Sequence, residues 1–506
     1  MAESVALVLR GSALRVILLF ANLGVAFYLM PFVIHALGDR WYGMWTLVGT
    51  LMGYYGYLDF GLSVATQRFI AHAIGRKDAQ RINGLVTTAL LLFVCLGVIC
   101  LVVTVVLAVL APLFFSDLHE IWTFRVVILL LGISLTISFP MAAFNGLISG
   151  SLRYDTVSYI EFGKLVARTA SIIYFVGAGY SIVALAVINL AVESGGNLAR
   201  LAVVRRMFRE LEISRRHCAR DTVRELFGYG GKTFVNQLAD LLRFRLDHLV
   251  IATFINLSAV TIFNIAGQLV HYFRELMSSL LGVLTPLYAR YQAAEDYTAL
   301  NKAYFFTSKL AASSAMLGGG AAIVFGHAFI ELWMGPAYLD AYTLLVILII
   351  PTTFFVAQYP GYALIYGLGA VGSLAKASIV EAVANFVLSI ILVRSIGVVG
   401  VALGTAIPLT AYAIFIVLVS CKLINASFGD YLRHVTPVFA VGFALQVADW
   451  AIVQQLNSSS YSRLIGLFLA LYPINALLML YLTFSRDELK LLRETGLQAL
   501  GAKSRA

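Results

Sequence analysis

A succession of apolar runs, each of roughly twenty residues or more and parted by short polar turns, is what most constrains this chain. Each run is long enough to cross the hydrocarbon layer of a bilayer as one α-helix. They fall near 12–36, 41–70, 82–112, 121–149, 156–177, 182–207, 226–254, 259–289, 303–326, 341–368, 374–396, 398–421, 432–453 and 461–484. The expectation is an all-α integral membrane protein of about fourteen transmembrane helices. The last pair is the least regular, because Asp449 and the run Ser458, Ser459, Ser460 crowd that hairpin. Composition agrees, with 60% hydrophobic and only 12% charged residues, where a soluble domain carries roughly a quarter charged. The stretch from Ser12 to Leu37 is too long for the core of a signal peptide and lacks a small-residue cleavage site, so it is read as the first membrane helix.

The formal charge of +10 raises nucleic acid as a partner. A nucleic-acid binder gathers its basic residues on one solvated face, whereas these sit in short clusters between apolar runs, so nucleic acid is set aside. The clusters alternate from loop to loop. One side carries Arg10; Arg68, Arg76, Lys77 and Arg81; Arg153; the run from Arg205 to Arg224; Arg290 and Lys302; Lys422 and Arg433; and Arg486, Lys490 and Arg493. The other side carries Arg40, Arg125, Arg394 and Arg463. Cytoplasmic loops retain lysine and arginine, so both termini are expected in the cytosol and the number of spans is expected to be even.

Self-comparison shows one recurring offset. Phe139-Pro140 and Tyr359-Pro360, Glu161 and Glu381, and Gly177 and Gly397 are each 220 residues apart at equivalent places in the helix pattern. A six-helix displacement preserves orientation, which predicts two parallel, pseudo-symmetric six-helix lobes around a central cavity, with two C-terminal helices outside the repeat. The expected organisation is an N-lobe at 1–207, a basic cytoplasmic connector at 208–225, a C-lobe at 226–421, and the last two helices with a cytosolic tail at 422–506.

Charges at bilayer depth are costly, about 2.5 to 3.5 kcal/mol each on insertion scales, and mark a pathway or a structural pair. Span seven places Asp240, Arg243 and Asp247 on one helical face, with Arg245 elsewhere. Span five carries Glu161, Lys164 and Arg168 on one stripe; span eight carries His271, Arg274 and Glu275. Asp59, Glu193 and Glu381 lie in spans two, six and eleven. Arginines from both lobes, Arg168 among them, suit a cationic cavity for an anionic substrate such as a phosphate or pyrophosphate, which a guanidinium binds through two parallel hydrogen bonds. The carboxylates Asp59, Glu161, Glu193, Asp240, Asp247, Glu275 and Glu381 read equally well as proton or sodium sites or as structural partners of neighbouring cations.

Catalytic chemistry has little support. The eight histidines and four cysteines show no metal-ligand spacing, no phosphate-binding glycine loop follows a strand, and the external loops are too short to house a catalytic site. No cofactor or metal is expected, beyond a proton or sodium gradient.

Ala36-Leu-Gly-Asp-Arg-Trp-Tyr-Gly-Met-Trp-Thr-Leu47 and Leu58-Asp-Phe-Gly-Leu-Ser-Val-Ala-Thr-Gln-Arg-Phe-Ile-Ala71 resemble the first hairpin of Wzx-type bacterial polysaccharide transporters, of the MOP superfamily of exporters. Asp247-His-Leu-Val-Ile251, Ile262-Phe-Asn-Ile-Ala266, Glu381-Ala-Val-Ala-Asn385 and Gly397-Val-Val-Gly-Val-Ala402 agree. The resemblance implies a flippase in the bacterial inner membrane for polyprenyl-diphosphate-linked oligosaccharide repeat units, working by alternating access for surface polysaccharide synthesis. It also implies a cationic cavity, for which Arg68, Arg243, Arg245 and Arg274 are the candidates, and partners that include the lipid-linked glycan, the bilayer, a polysaccharide polymerase and other assembly proteins. A multidrug or toxin exporter on the same fold is the alternative, with a cavity expected to be more acidic and aromatic; a membrane-embedded polysaccharide-modifying enzyme is the alternative of a different class.

Overall fold

The computed structural model describes residues 2–76, 78–113, 117–151, 153–214, 216, 218, 220–228, 246–281, 284–456, 460–490 and 492. The described chain is helical throughout, with no strand among these residues. The helices are α1 (Ala2–Leu37), α2 (Asp39–Tyr55), α3 (Leu62–Gly75), α4 (Ala79–Val109), α5 (Leu118–Gly150), α6 (Tyr154–Gly177), α7 (Ile182–Met207) and α8 (Asp247–Phe254). They continue with α9 (Leu257–Leu281), α10 (Leu284–Ala293), α11 (Tyr297–Met334), α12 (Asp340–Val356), α13 (Tyr359–Gly367), α14 (Val371–Leu423), α15 (Phe428–Gln455) and α16 (Tyr461–Thr483).

Among the described residues eight of these, α14 included, are long and apolar enough to cross a membrane, and a ninth crossing arises if α12 and α13, bent by 41° at their junction, are one span. The expected spans outnumber these because several are broken. The run expected as one helix over 41–70 is interrupted by a 3-10 turn at Gly56–Asp59 and by left-handed backbone at Phe60 and Gly61. The run over 259–289 divides into α9 and α10. In α14, by contrast, two expected spans are joined, and the chain reverses where Ile396 and Gly397 leave helical geometry. Most of the seventh expected span, 229–245, lies outside the described residues, and with it Asp240, Arg243 and Arg245.

The exposed surface of these helices is that of a lipid-facing protein. Along α4, Val94, Val98, Val102, Val105 and Val109 recur at helical spacing and are all exposed, forming a valine stripe that water would penalise and hydrocarbon would not.

The chain forms two compact units, Met1–Thr261 and Ile262–Ala506. In the first, α4 packs on α5, α5 on α7, α1 on α6 and α6 on α7. Without a hydrophobic driving force between helices in lipid, close approach depends on small residues. A Cβ on Gly132 would fall 2.4 Å from Thr104, and one on Gly97 would fall 2.9 Å from the carbonyl oxygen of Thr136. The core between α2, α4 and α5 is filled by Met44, Leu47, Cys100, Phe124 and Ile128; that between α3, α4 and α5 by Ile70, Phe93, Phe144 and Leu147.

In the second unit α11 is the hub. Its run Gly318-Gly319-Gly320 meets three different helices: Phe273 of α9, Thr353 of α12 and Gln446 of α15, each too close for a Cβ. Pairings echo those of the first unit: α11 packs on α12, and α12 on the second arm of α14, where Phe355 stacks on Tyr412.

Candidate functional site

The intramembrane charges of the first unit converge on the α6–α7 interface. Glu161, Lys164 and Arg168 form one stripe on α6. On α7 the answering stripe is Glu193, Asn197 and Arg200. The stripes interdigitate into a ladder of alternating charge. Arg200 pairs with Glu161; Lys164 Nζ lies 2.9 Å from Glu161 and 2.9 Å from Glu193; Arg168 Nη2 lies 2.6 Å from Glu193. Three cations against two carboxylates leave the ladder at +1.

Local sequence explains the register. Gly196 leaves room for the Lys164 stem, whose Cδ would stand 2.6 Å from a Cβ at that position. Asn197 Nδ2 donates to Ser138 Oγ at 3.0 Å, tying the ladder to α5, while its amide oxygen accepts from Arg200 at 2.9 Å. Lys164 and Arg200 are largely buried, with side chains 11% and 12% exposed, whereas Arg168 at the end of the ladder is 37% exposed. Arg200 is the member that the stripe of carboxylates and arginines in span five did not single out; the spacing Glu193, Asn197, Arg200, which mirrors Glu161, Lys164, Arg168, is the signal that finds it.

The other candidates are dispersed. Asp59 caps α3, its Oδ1 accepting from the Ser63 N–H at 3.0 Å. Arg68 is exposed on α3, with its guanidinium 5.8 Å from the Phe69 ring. Asp247 is half-buried at the first turn of α8, which packs against α2. In the second unit, Arg274 is half-buried on α9 with its guanidinium 5.8 Å from the Phe355 ring, and Glu275 beside it is exposed. Glu381 is buried on the first arm of α14, at 4% exposure. Of the expected site residues, the structure therefore brings together Glu161, Arg168 and Glu193.

The second unit has an ion pair that the sequence reading did not select. Lys309 of α11 is buried, and its Nζ lies 2.7 Å from Glu488 and 5.0 Å from the Phe484 ring centroid. Burial pushes the Glu488 carboxyl up, but the Lys309 hydrogen bond and charge, with the Ser485 N–H, outweigh it and hold the group below its ordinary value. Beside this unit's hub, an apolar cleft of about 280 Å³ is lined by Leu269, Phe325, Phe329, Leu345, Leu464 and Phe468 among others. Among the described residues no group of three His, Cys, Asp or Glu is placed to hold a metal ion.

Solved membrane transporters share this helical architecture. An inward-facing multidrug resistance transporter of the MATE family, in the MOP superfamily, superimposes with a TM-score of 0.69 at 18% identity, over 79% of this chain and 94% of that one. Its outward-facing counterpart gives 0.57 at 16% identity, over 83% and 95%. The lipid II flippase MurJ, in an inward closed conformation, gives 0.67 at 12% identity, over 92% of this chain and 99% of that one. No curated protein sequence matches the chain. Residues 61–343 match the family described as "Polysaccharide biosynthesis protein", and the chain belongs to that family. The matched range takes in Arg68, Arg274 and the whole α6–α7 ladder; Ala36–Leu47, which carried much of the sequence resemblance, precedes it.

Proposed function

We propose that the protein is a flippase that carries polyprenyl-diphosphate-linked oligosaccharide units across the bacterial inner membrane for surface polysaccharide synthesis, with both termini in the cytosol. The observation that carries this reading is membership of a polysaccharide biosynthesis family on a transporter fold. A biosynthetic role for a multi-span transporter calls for a cargo made on one side of the membrane and used on the other, and lipid-linked sugars are such a cargo. Similarity to a lipid II flippase over 92% of the chain supports the same class of cargo. The headgroup is anionic and the ladder carries net positive charge, with Arg168 its most exposed cation; the apolar cleft beside α11 and α16 suits hydrocarbon. Alternating access moves the headgroup while the polyprenyl tail stays in lipid, driven by a proton or sodium gradient. A polysaccharide polymerase and other assembly proteins are the proposed partners on the receiving side.

The test is deletion of the gene in its host. Lipid-linked glycan accumulating at the cytosolic face, restored by the intact protein, is the expected result. Unchanged surface glycan after deletion, together with new sensitivity to cationic drugs, would move the protein to the multidrug exporters that share its fold.

A further inference from the structure

The α15–α16 hairpin, outside the ladder and outside the expected repeat, buries a polar cluster between its two helices. Asp449 is 2% exposed, Asn475 4%, Tyr472 8% and Gln446 9%. Asn475 Nδ2 donates to Asp449 Oδ2 at 2.5 Å, and the Tyr472 hydroxyl donates to Gln446 Oε1 at 2.9 Å. Gln446 and Asp449 are three residues apart on one helix, as are Tyr472 and Asn475 on the other, so both bonds join the same turn of one helix to the same turn of the other. The backbone of α11 closes over them: a Cβ on Gly320 would stand 2.2 Å from Gln446 Cδ. Val324, Phe325, Val453 and Leu464 share one buried apolar cluster with Tyr472, whose ring lies 5.8 Å from that of Phe325.

Charge complementarity is missing here. Asp449 makes no ion pair among the described residues, and the charged groups of the surrounding helices are engaged or distant. On α11, Lys309 is held by Glu488 and lies about 16 Å along the helix from Gly320. His327 is exposed and sets its ring against Tyr342, and Glu331 is exposed. On α16, Arg463 is exposed in the first turn. On α15, Asp430, Arg433 and His434 lie at the far end, His434 about 22 Å away along the axis. On α14, Lys376, Glu381, Arg394 and Lys422 make no pair with Asp449. A solitary carboxylate in a hydrocarbon-depth interior is costly, and binding a proton removes that cost.

We propose that Asp449 is a proton-exchange site, with Asn475 as its hydrogen-bond partner. Uptake adds one proton to a carboxylate oxygen and release returns it to water; no other bond changes. The donor arrangement favours a proton over a metal cation. Asn475 turns its amide nitrogen to the carboxylate, the Gln446 oxygen is occupied by Tyr472, and the Gln446 Nε2 is a further buried donor without a partner among the described residues. A sodium ion would need oxygens where these N–H groups stand. The hairpin thus carries a protonatable group of its own, whatever cargo the protein moves.

Infrared difference spectroscopy of the full-length protein in lipid nanodiscs, stepped through pH with and without sodium chloride, tests the site. A carbonyl stretch of a protonated, buried carboxyl group is expected, and Asp449→Asn abolishes it. Asn475→Ala removes a donor that favours the carboxylate, so the titration midpoint moves to higher pH by roughly one pH unit. A band that survives in Asp449→Asn overturns the proposal. So does a band that sodium removes at constant pH, which would assign the site to a metal cation. Should Asp449→Asn fail to fold, an unmoved midpoint in Asn475→Ala overturns it alone.

Discussion

Lys164 bridges two carboxylates on two helices, 2.9 Å from Glu161 on its own α6 and 2.9 Å from Glu193 on α7, and it does so across the bare backbone of Gly196. The glycine and the lysine are therefore one feature. Gly196→Leu is expected to displace the lysine stem and break both contacts, lowering stability by on the order of 1–3 kcal/mol through overpacking and lost pairing. Thermal melting in detergent measures this. Combining it with Lys164→Met should recover part of the loss, since the shorter side chain clears the new one; strictly additive losses would count against the coupling.

The two ends of the ladder are expected to behave differently. Arg168 is 37% exposed and Arg200 12%. An exposed cation contributes about 0–1 kcal/mol through its pair, whereas losing a buried one costs more, tempered at Arg200 because its partner Glu161 is 34% exposed and keeps Lys164. Arg168→Gln should leave the melting temperature nearly unchanged and reduce glycan transfer in a complemented deletion strain. Arg200→Gln should lower the melting temperature clearly, a loss of stability of roughly 1–3 kcal/mol. Equal losses of stability with unaltered transfer would make both residues purely structural and remove Arg168 from the substrate path.

Lys309 and Glu488 join α11 to the segment after α16 through a buried pair under Phe484. Glu488 sits below its ordinary value of 4.5 in the folded protein, so ionisation favours the folded state at pH values above 4.5, and that contribution is lost as pH falls through the lower folded value. Melting temperature should accordingly fall from about pH 5 downward. Glu488→Gln should flatten this acid limb, and at neutral pH should cost on the order of 2–3 kcal/mol by leaving Lys309 buried without its carboxylate. An unchanged acid limb in Glu488→Gln would assign the pH dependence to other groups.

Much of this was legible before the structure. Continuous apolar runs announce membrane helices because hydrocarbon demands a fixed length of them, and every expected span but the seventh coincides with a helix, a helix arm or a broken pair. The pairing of Glu161 with Lys164 followed from helical spacing. The partnership of Lys164 and Arg168 with Glu193 did not, because spacing along one helix says nothing about which neighbour it faces. Nor did the role of Asp59, which reads as an intramembrane charge but caps α3 where the chain breaks at Phe60 and Gly61. Lys309 was passed over for the same reason: its partner lies 179 residues away. Asp449 appeared only as an irregularity of the last hairpin, since a single acidic residue in an apolar run does not disclose that Asn475 meets it.

The reversal inside α14 offers the sharpest test of local backbone chemistry. Expected spans 374–396 and 398–421 meet at Gly397, whose φ of 63° and ψ of −140° are accessible to glycine and strained for any L side chain. A Cβ there would meet nothing within 4 Å, so Gly397→Ala adds no clash and isolates the conformational cost. That cost is on the order of 1–3 kcal/mol. The arms themselves depend on close contact, since a Cβ on Gly404 would fall 2.4 Å from Ser389 Oγ. Gly397→Ala is therefore expected to lower the melting temperature and speed deuterium exchange in both arms together, from Ser389 to Gly404. Faster exchange in one arm only would mean that the turn does not hold the pair in register.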